Sequence, residues 1–263
     1  MLSHAKRAFP GLFLTMRTLA GRLYDTEVER LTLERCRSRV IDGPFRGMRY
    51  IDRASCSALT PKLLGTYERE LHPFIEEIIG RRHAHVIDVG SAEGYYAVGL
   101  ALTMPASRIH AYDIDENALR NLAALADLNG VTDRISMSRE CSFETFERFR
   151  ESSFAVICDI EGAERHLLDP AAAPALTACD ILVEIHDGVA STAIHDSLSN
   201  HFSNTHDLRF VRYRGRAAHD AAHAPWLGHA RNRIRAVDEH RTLGVEWGYF
   251  RAKTTAVSQR SSR

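Results

Sequence analysis

The stretch VIDVGSAEG, residues Val86 to Gly94, decides the fold. An acid, Asp88, lies near the end of a short apolar run, and Gly90 and Gly94 bracket the turn into the next predicted helix. Glycine lets the backbone approach a ligand closely, because it has no Cβ, and it accepts unusual φ and ψ values. The change from strand to helix leaves unpaired N–H groups facing a crevice. The segment therefore predicts a loop that binds a nucleoside cofactor.

The spacing of this loop differs from the dinucleotide fingerprint G-x-G-x-x-G, which places its second glycine two residues after the first. Ala92 occupies that position, and the carboxyl group of Asp88 would lie close to a bound diphosphate. An acid at this point suits a positively charged ligand, such as the ammonium and sulfonium groups of S-adenosylmethionine. The loop therefore favours S-adenosylmethionine over a dinucleotide.

The second predicted strand ends in AYDIDE, residues 111–116, and Asp113 follows Asp88 by 25 residues. This is close to the spacing of an acid that accepts hydrogen bonds from ribose hydroxyls. Asp115 is the alternative, but with Glu116 it could instead form the N-cap region of the next helix. We favour Asp113 as the ribose ligand.

From His85 onward, short apolar strands alternate with helical segments, which is typical of a parallel sheet covered on both faces. The predicted strands are His85–Val89, Arg108–Tyr112, Arg134–Ser138, Phe154–Cys158 and Ile181–Ile185, followed by Leu208–Tyr213 and Val245–Phe250. The predicted helices between them are Tyr95–Thr103, Glu116–Asn129 and Phe143–Arg150. The fold class is therefore α/β.

The region before this sheet has a helical pattern. Apolar residues at helical spacing predict one or two amphipathic helices over residues 12–39, then a hairpin with Gly43 and Pro44 at its turn and Met48 to Ile51 as a strand. A helix from Pro61 to Ile79, capped by Gly80, is expected to follow. The basic N-terminal residues could be a transit peptide, but a helix that docks on the domain is favoured.

Composition excludes several classes of protein. The chain has 263 residues with 34 basic and 34 acidic side chains, so no globally basic surface indicates a nucleic-acid partner. Its longest uncharged stretch, residues 94–107, is too short to span a bilayer. The five cysteines form no C-x-x-C pair, which argues against a disulfide scaffold and favours a reducing, cytoplasmic setting.

Four motifs together, DVGSAEG, AYDID, LNGV and CDIEGAE (residues 158–164), resemble the class I S-adenosylmethionine-dependent methyltransferases. The last motif resembles the FkbM-type group, many of whose members methylate oxygens of sugars, polyketides or related small molecules. The resemblance implies a Rossmann-like, mostly parallel seven-stranded sheet with helices on both faces and one reversed strand near the C-terminus. It also implies O-methylation of a small-molecule acceptor. Composition adds that a membrane is not expected as a partner and that a nucleic acid is not favoured.

The resemblance implies a role for individual residues. Asp88 and the loop would lie beside the methionine portion of the cofactor; the loop residues are Gly90, Ser91, Ala92, Glu93 and Gly94. Asp113 would hold the ribose, Ile114 would flank the adenine, and Glu140 or Cys141 would border the adenine edge. Asp159 would stand at the end of the fourth strand, beside the methyl group that is transferred.

Acids and a histidine follow strands four and five, whose carboxyl ends line the same crevice. His186 could be a general base, because its unperturbed pKa is near the working pH. Alternatively, Asp159 with Glu184 or Asp187 could hold Mg²⁺, which prefers oxygen ligands. Glu184 and His186 could also be a structural pair, and Glu161 and Glu164 could either act in the site or only favour a helix start.

We expect an N-terminal extension over residues 1–60 and a cofactor-binding domain over residues 61–253, with an insert at 214–244 and a disordered tail at 254–263. The insert is rich in arginine, which could bind an anionic acceptor or RNA but by default forms a solvated face. Methylation of RNA or protein, or a role as an inactive cofactor-binding partner subunit, is the alternative function. A homo-oligomer is compatible with the sequence.

Overall fold

The computed structural model describes residues 26–54, 57–187 and 191–253. These residues divide into two compact units. One comprises the described residues within 1–67 and 215–240, and the other comprises those within 68–214 and 241–263. Predictions that concern residues 1–25 and the tail after Lys253 lie outside the described residues. No helix in the described part of the chain is long and apolar enough to cross a membrane.

The larger unit, residues 68–214 with 241–263, is built on a seven-stranded sheet. Its strands are β1 (His85–Val89), β2 (Arg108–Tyr112), β3 (Ile135–Ser138), β4 (Phe154–Cys158), β5 (Asp180–Ile185), β6 (His206–Arg212) and β7 (Glu246–Ala252). They lie in the order β3-β2-β1-β4-β5-β7-β6, and β7 is antiparallel to both of its neighbours. This arrangement confirms the predicted α/β class, including the single reversed strand.

Helices of the larger unit connect its strands and cover both faces of the sheet. In chain order the helices are α1 (residues 26–36), α2 (Leu59–Leu64), α3 (His72–Arg81), α4 (Tyr95–Thr103), α5 (Glu116–Asn129), α6 (Phe143–Glu147), α7 (Glu164–Leu167), α8 (Ala193–Phe202) and α9 (Ala230–Val237). The central strands β4 and β5 are buried along their whole length, as expected for strands covered on both sides. Their buried apolar residues form the core beside the site described below.

The smaller unit holds α1, α2 and α9. The predicted hairpin forms in a shorter version than expected. An antiparallel bridge joins Arg39 and Arg49, and the backbone N–H of Val40 donates to Met48 O (2.9 Å) and that of Tyr50 to Ser38 O (2.8 Å), but the pairing does not extend into a strand over Met48 to Ile51. The continuous helix predicted from Pro61 to Ile79 is wrong. Gly65 adopts a left-handed conformation at φ 71° and ends α2, and a Cβ there would lie 2.1 Å from the Asp42 carbonyl oxygen.

Other differences from the prediction lie at helix ends and in the insert. Helix α3 runs through Gly80 and is capped by Arg82 at φ 54°, so Gly80 is not the cap. Helix α6 ends at Glu147 rather than at Arg150. The insert contains α9 and two short 3₁₀ turns, Ala218–Ala221 and Pro225–Leu227, where no element was predicted.

Candidate active site

The strand order reverses between β1 and β4, and a crevice opens where the connections from these two strands diverge. Gly90 follows β1 at φ 81°, and Asp159 follows β4. A Cβ on Gly90 would stand only 1.7 Å from the carbonyl oxygen of Asp159. The loop after β1 therefore packs directly on the end of β4, at a distance that only glycine permits.

Four backbone N–H groups of the loop are already engaged within the chain. Their acceptors are Tyr112 O for Gly90 (2.8 Å) and Ser91 (3.0 Å), Asp113 Oδ2 for Ala92 (2.8 Å), and Ser91 O for Gly94 (2.8 Å). A pyrophosphate bound at a strand-to-helix turn needs such N–H groups free. The loop therefore has the shape of a cofactor loop without the donors that a dinucleotide requires.

Asp88 is the buried acid beneath this loop, with 2% of its surface exposed. Burial, and to a lesser extent the charge of Asp113, raise its pKa to about 7, although a hydrogen bond from the Ala97 backbone opposes the rise. Among the described residues, Asp88 Oδ2 and Ser91 Oγ are buried and have no hydrogen-bond partner. A ligand that donates hydrogen bonds or carries positive charge fits this pair of atoms.

Asp113 is half-buried at the end of β2, and its carboxylate is fixed from two sides. It accepts hydrogen bonds from the backbone N–H groups of Ala92 and Asp115, both at 2.8 Å. The Asp115 side chain instead accepts from the Asn117 N–H at 2.8 Å and caps α5. The structure thus gives Asp115 a capping role and leaves Asp113 at the crevice.

Three further sequence candidates lie near the ends of β2 and β3. Ile114 is an unusually exposed apolar side chain, with 78% of its surface accessible. Glu140 is exposed, and Cys141 is half-buried, where burial raises the pKa of its thiol to about 11. Glu93 is fully buried within the loop and does not face solvent.

The ends of β4 and β5 bring Asp159, Glu184 and His186 together. One ligand atom from each lies within 4.8 Å of the other two. His186 Nε2 is 3.5 Å from a carboxylate oxygen of Asp159, of Glu184 and of Glu161. Burial raises the pKa of Asp159 to about 8, and the charge of Glu184 adds to this effect. The predicted acid and histidine cluster therefore exists as a spatial group.

Three further residues of this network, Glu68, Tyr96 and Arg241, are not among the site residues predicted from the sequence. Arg241 Nη1 lies 2.8 Å from both carboxylate oxygens of Glu184, and its Nη2 pairs with Glu68. The hydroxyl of Tyr96 donates to the other oxygen of Glu68. Burial raises the pKa of Glu184, although the Arg241 charge opposes this rise. Arg241 thus neutralises two buried acids at once.

The cluster fits Mg²⁺ poorly. Both oxygens of Glu184 contact the guanidinium of Arg241, so a metal bound there would lie beside a fixed positive charge. Asp187 does not join the cluster, because its carboxylate accepts the backbone N–H groups of Ile194 and His195 at 2.8 and 3.0 Å. One oxygen ligand and one imidazole remain, whereas Mg²⁺ favours an octahedron of oxygens.

Comparison of the sequence with protein families and with curated proteins finds no match. Among solved structures, a human methyltransferase 10 domain containing protein aligns with 87% of this chain and 96% of its own, at a TM-score of 0.51 and 10% identity. The O-methyltransferase TomG from Streptomyces achromogenes, in complex with S-adenosylmethionine, aligns with 69% of this chain and 80% of its own, at a TM-score of 0.47 and 9% identity.

An O-methyltransferase from Bacillus cereus, in complex with S-adenosylhomocysteine, aligns with 71% of this chain and 81% of its own, at a TM-score of 0.46 and 8% identity. Identities this low define the fold and nothing finer. The chain therefore has the Rossmann-like fold of class I methyltransferases, with its mixed seven-stranded sheet and helices on both faces.

Proposed function

We propose that this chain is an S-adenosylmethionine-dependent methyltransferase that acts on an oxygen of a small molecule. The single observation that carries the proposal is the contact between Gly90 and the Asp159 carbonyl. Because of this contact, the cofactor loop and the acid and histidine cluster share one crevice. A cofactor held by the loop would be adjacent to groups that can move a proton.

The charge of the crevice supports S-adenosylmethionine over other nucleosides. Asp88 and Asp159 are buried carboxyl groups whose pKa values are raised to about 7 and about 8. Asp88 Oδ2 and Asp159 Oδ1 also make no hydrogen bond with the described residues. A cationic ligand stabilises ionised carboxylates, whereas a pyrophosphate would add negative charge to this site.

When bound, S-adenosylmethionine supplies an electrophilic methyl group on a sulfonium, which is already a good leaving group. In this mechanism Asp113 holds the ribose and Asp88 faces the positive end of the cofactor. His186 Nε2 accepts the proton of the acceptor hydroxyl, because Nδ1 is bound to Glu164 at 2.7 Å, whereas the carboxylate oxygens of Asp159 and Glu184 are 3.5 Å from Nε2. Asp159 and Glu184 stabilise the imidazolium that forms.

The sequence around Asp159 supports the FkbM-type group and an oxygen acceptor. Residues 159–164 read DIEGAE, where enzymes that methylate amino groups of bases carry an N/D-P-P-Y/F motif. A hydroxyl requires a base to remove its proton, and the neutral ring of His186 supplies one. Because its pKa is raised to about 9, the ring acts as a base when a cation bound nearby lowers that pKa or when the pH is high. Sugars and polyketides are acceptors of the appropriate chemistry.

The proposal is tested by calorimetric titration of the purified chain with S-adenosylmethionine and, in parallel, with NAD⁺. We expect S-adenosylmethionine to bind and NAD⁺ not to bind. Release of S-adenosylhomocysteine is then measured over a panel of sugars and polyketides, with His186→Gln as the matched variant. Binding of NAD⁺ instead would overturn the proposal, and tight cofactor binding without turnover on any acceptor would favour an inactive partner subunit.

A further inference from the structure

We propose that Glu164 is a positioning residue that fixes the His186 ring, so that Nδ1 carries a hydrogen and Nε2 is the nitrogen that accepts the substrate proton. This inference rests on the proposed function and extends it to Glu164, a buried residue that contacts the histidine.

Glu164 is the first residue of α7 and is fully buried. Its Oε1 atom lies 2.7 Å from His186 Nδ1 and also accepts hydrogen bonds from the backbone N–H groups of Gly162 (3.0 Å) and Ile160 (3.3 Å). The connection before α7 folds around this oxygen, with Glu161 and Gly162 both at positive φ, 57° and 106°. The carboxylate is therefore held in place independently of the histidine.

The position of Glu164 determines which tautomer the histidine adopts. An ionised carboxylate only accepts hydrogen bonds, so a contact of 2.7 Å requires a hydrogen on His186 Nδ1. The neutral ring then has its lone pair on Nε2. That atom lies 3.5 Å from its nearest carboxylate oxygens, too far for a tight bond, and it remains available to a hydroxyl in the crevice.

The charged groups that face the ring come from every element around it. Glu164 is on α7, Asp159 and Glu161 follow β4, and Glu184 is on β5. Arg241 is paired with Glu184 at 2.8 Å. Burial lowers the pKa of His186, but the hydrogen bond to Glu164 and the charges of Glu184 and Asp159 outweigh it and raise the pKa to about 9. A sulfonium bound nearby would lower it toward neutral pH, because a like charge disfavours the imidazolium.

The Glu164 carboxylate itself remains ionised in this arrangement. Burial raises its pKa, but the hydrogen bonds from His186 and from the Gly162 backbone outweigh that effect and leave the pKa lowered. The side chain of Glu161 offers a matched comparison. Its carboxylate is also close to the ring, at 3.5 Å from Nε2, but it is 86% exposed and screened by solvent.

The test is nitrogen-15 NMR of protein labelled at histidine, which needs neither an acceptor nor turnover. The His186 ring signals are assigned by their loss in His186→Gln and followed between pH 6 and pH 10.5. We expect the neutral ring to carry its proton on Nδ1. We also expect Glu164→Gln to lower the titration midpoint by about 1 to 3 pH units, and Glu161→Gln to lower it by less.

A neutral ring protonated on Nε2 in the unmodified protein would overturn the inference, and so would an unchanged midpoint in a folded Glu164→Gln protein. If the Glu164→Gln protein does not fold, the tautomer of His186 in the unmodified protein still tests the inference. Cofactor binding is measured on the same samples. Failure to bind S-adenosylmethionine would count against the proposed function, whereas the tautomer reports on Glu164 alone.

Discussion

Replacement of Gly90 by alanine is the sharpest perturbation of the site, because it acts on the contact that joins the loop to the end of β4. The added Cβ would stand 1.7 Å from the Asp159 carbonyl oxygen, and real Cβ atoms essentially never come closer than 3.0 Å. The two segments must therefore separate by at least about 1.3 Å. Alanine at φ 81° adds backbone strain of about 1 to 2 kcal/mol.

Overpacking of this kind costs about 1 to 3 kcal/mol, so Gly90→Ala is expected to lower the free energy of unfolding by about 2 to 5 kcal/mol. Displacement of the loop by about 1 Å is expected to weaken cofactor binding, and a misplacement of this size also slows an enzymatic reaction by about 100-fold. Urea unfolding followed by circular dichroism measures the first effect, and calorimetric titration with S-adenosylmethionine measures the second.

The control is Gly130→Ala at the end of α5. Gly130 is also left-handed, at φ 67°, but no atom lies within 4 Å of the Cβ that alanine would add. It should therefore show the strain alone, about 1 to 2 kcal/mol, and leave cofactor binding unchanged. If Gly90→Ala and Gly130→Ala lose equal stability and both bind S-adenosylmethionine normally, the contact does not organise the site.

Three further predictions concern single side chains. Ile114→Ala should weaken S-adenosylmethionine binding by about 3- to 10-fold, because this exposed side chain offers apolar surface for an adenine to cover. Calorimetric titration measures the change in binding, and thermal stability should be unchanged. Arg241→Met should cost about 3 to 5 kcal/mol in urea unfolding, because Glu68 and Glu184 would remain buried without their shared cation. The pKa of His110 is lowered to about 4 by burial, by the charge of a neighbouring histidine and by two nearby arginines, so His110 is neutral when folded. The free energy of unfolding should therefore fall as the pH drops from about 6.5 to about 4, and it should fall less steeply in His110→Gln.

The alternation of strands and helices was predictable because it depends on local patterns. The limits of β1, β2, β4, α4 and α5 agree with the prediction at both ends, since each is an apolar run bounded by turn or capping residues. The end of α2 was not predictable. Gly65 terminates that helix through a close approach to Asp42, a contact between residues more than 20 positions apart.

The candidate site was predictable only in part, for the same reason. Acids at strand ends are visible in a sequence, because parallel strands end at one edge of a sheet. Arg241, however, is 173 residues from Glu68 and 57 from Glu184. It lies in an arginine-rich stretch, which a sequence alone would assign to a solvent-exposed face. It lies near Glu68 and Glu184 because β7, which follows it, pairs antiparallel with β5.

The central claim is that the crevice binds a cationic cofactor, and the pH dependence of binding tests it most directly. The measurement compares the Kd of S-adenosylmethionine with that of S-adenosylhomocysteine, which lacks the positive sulfonium, between pH 6 and pH 9. Asp88 and Asp159, with pKa values raised to about 7 and about 8, are protonated at the lower end and ionised at the upper end. We expect the preference for S-adenosylmethionine to increase with pH through this range, with release of protons on binding. A preference independent of pH, or no binding of either ligand, would contradict the claim.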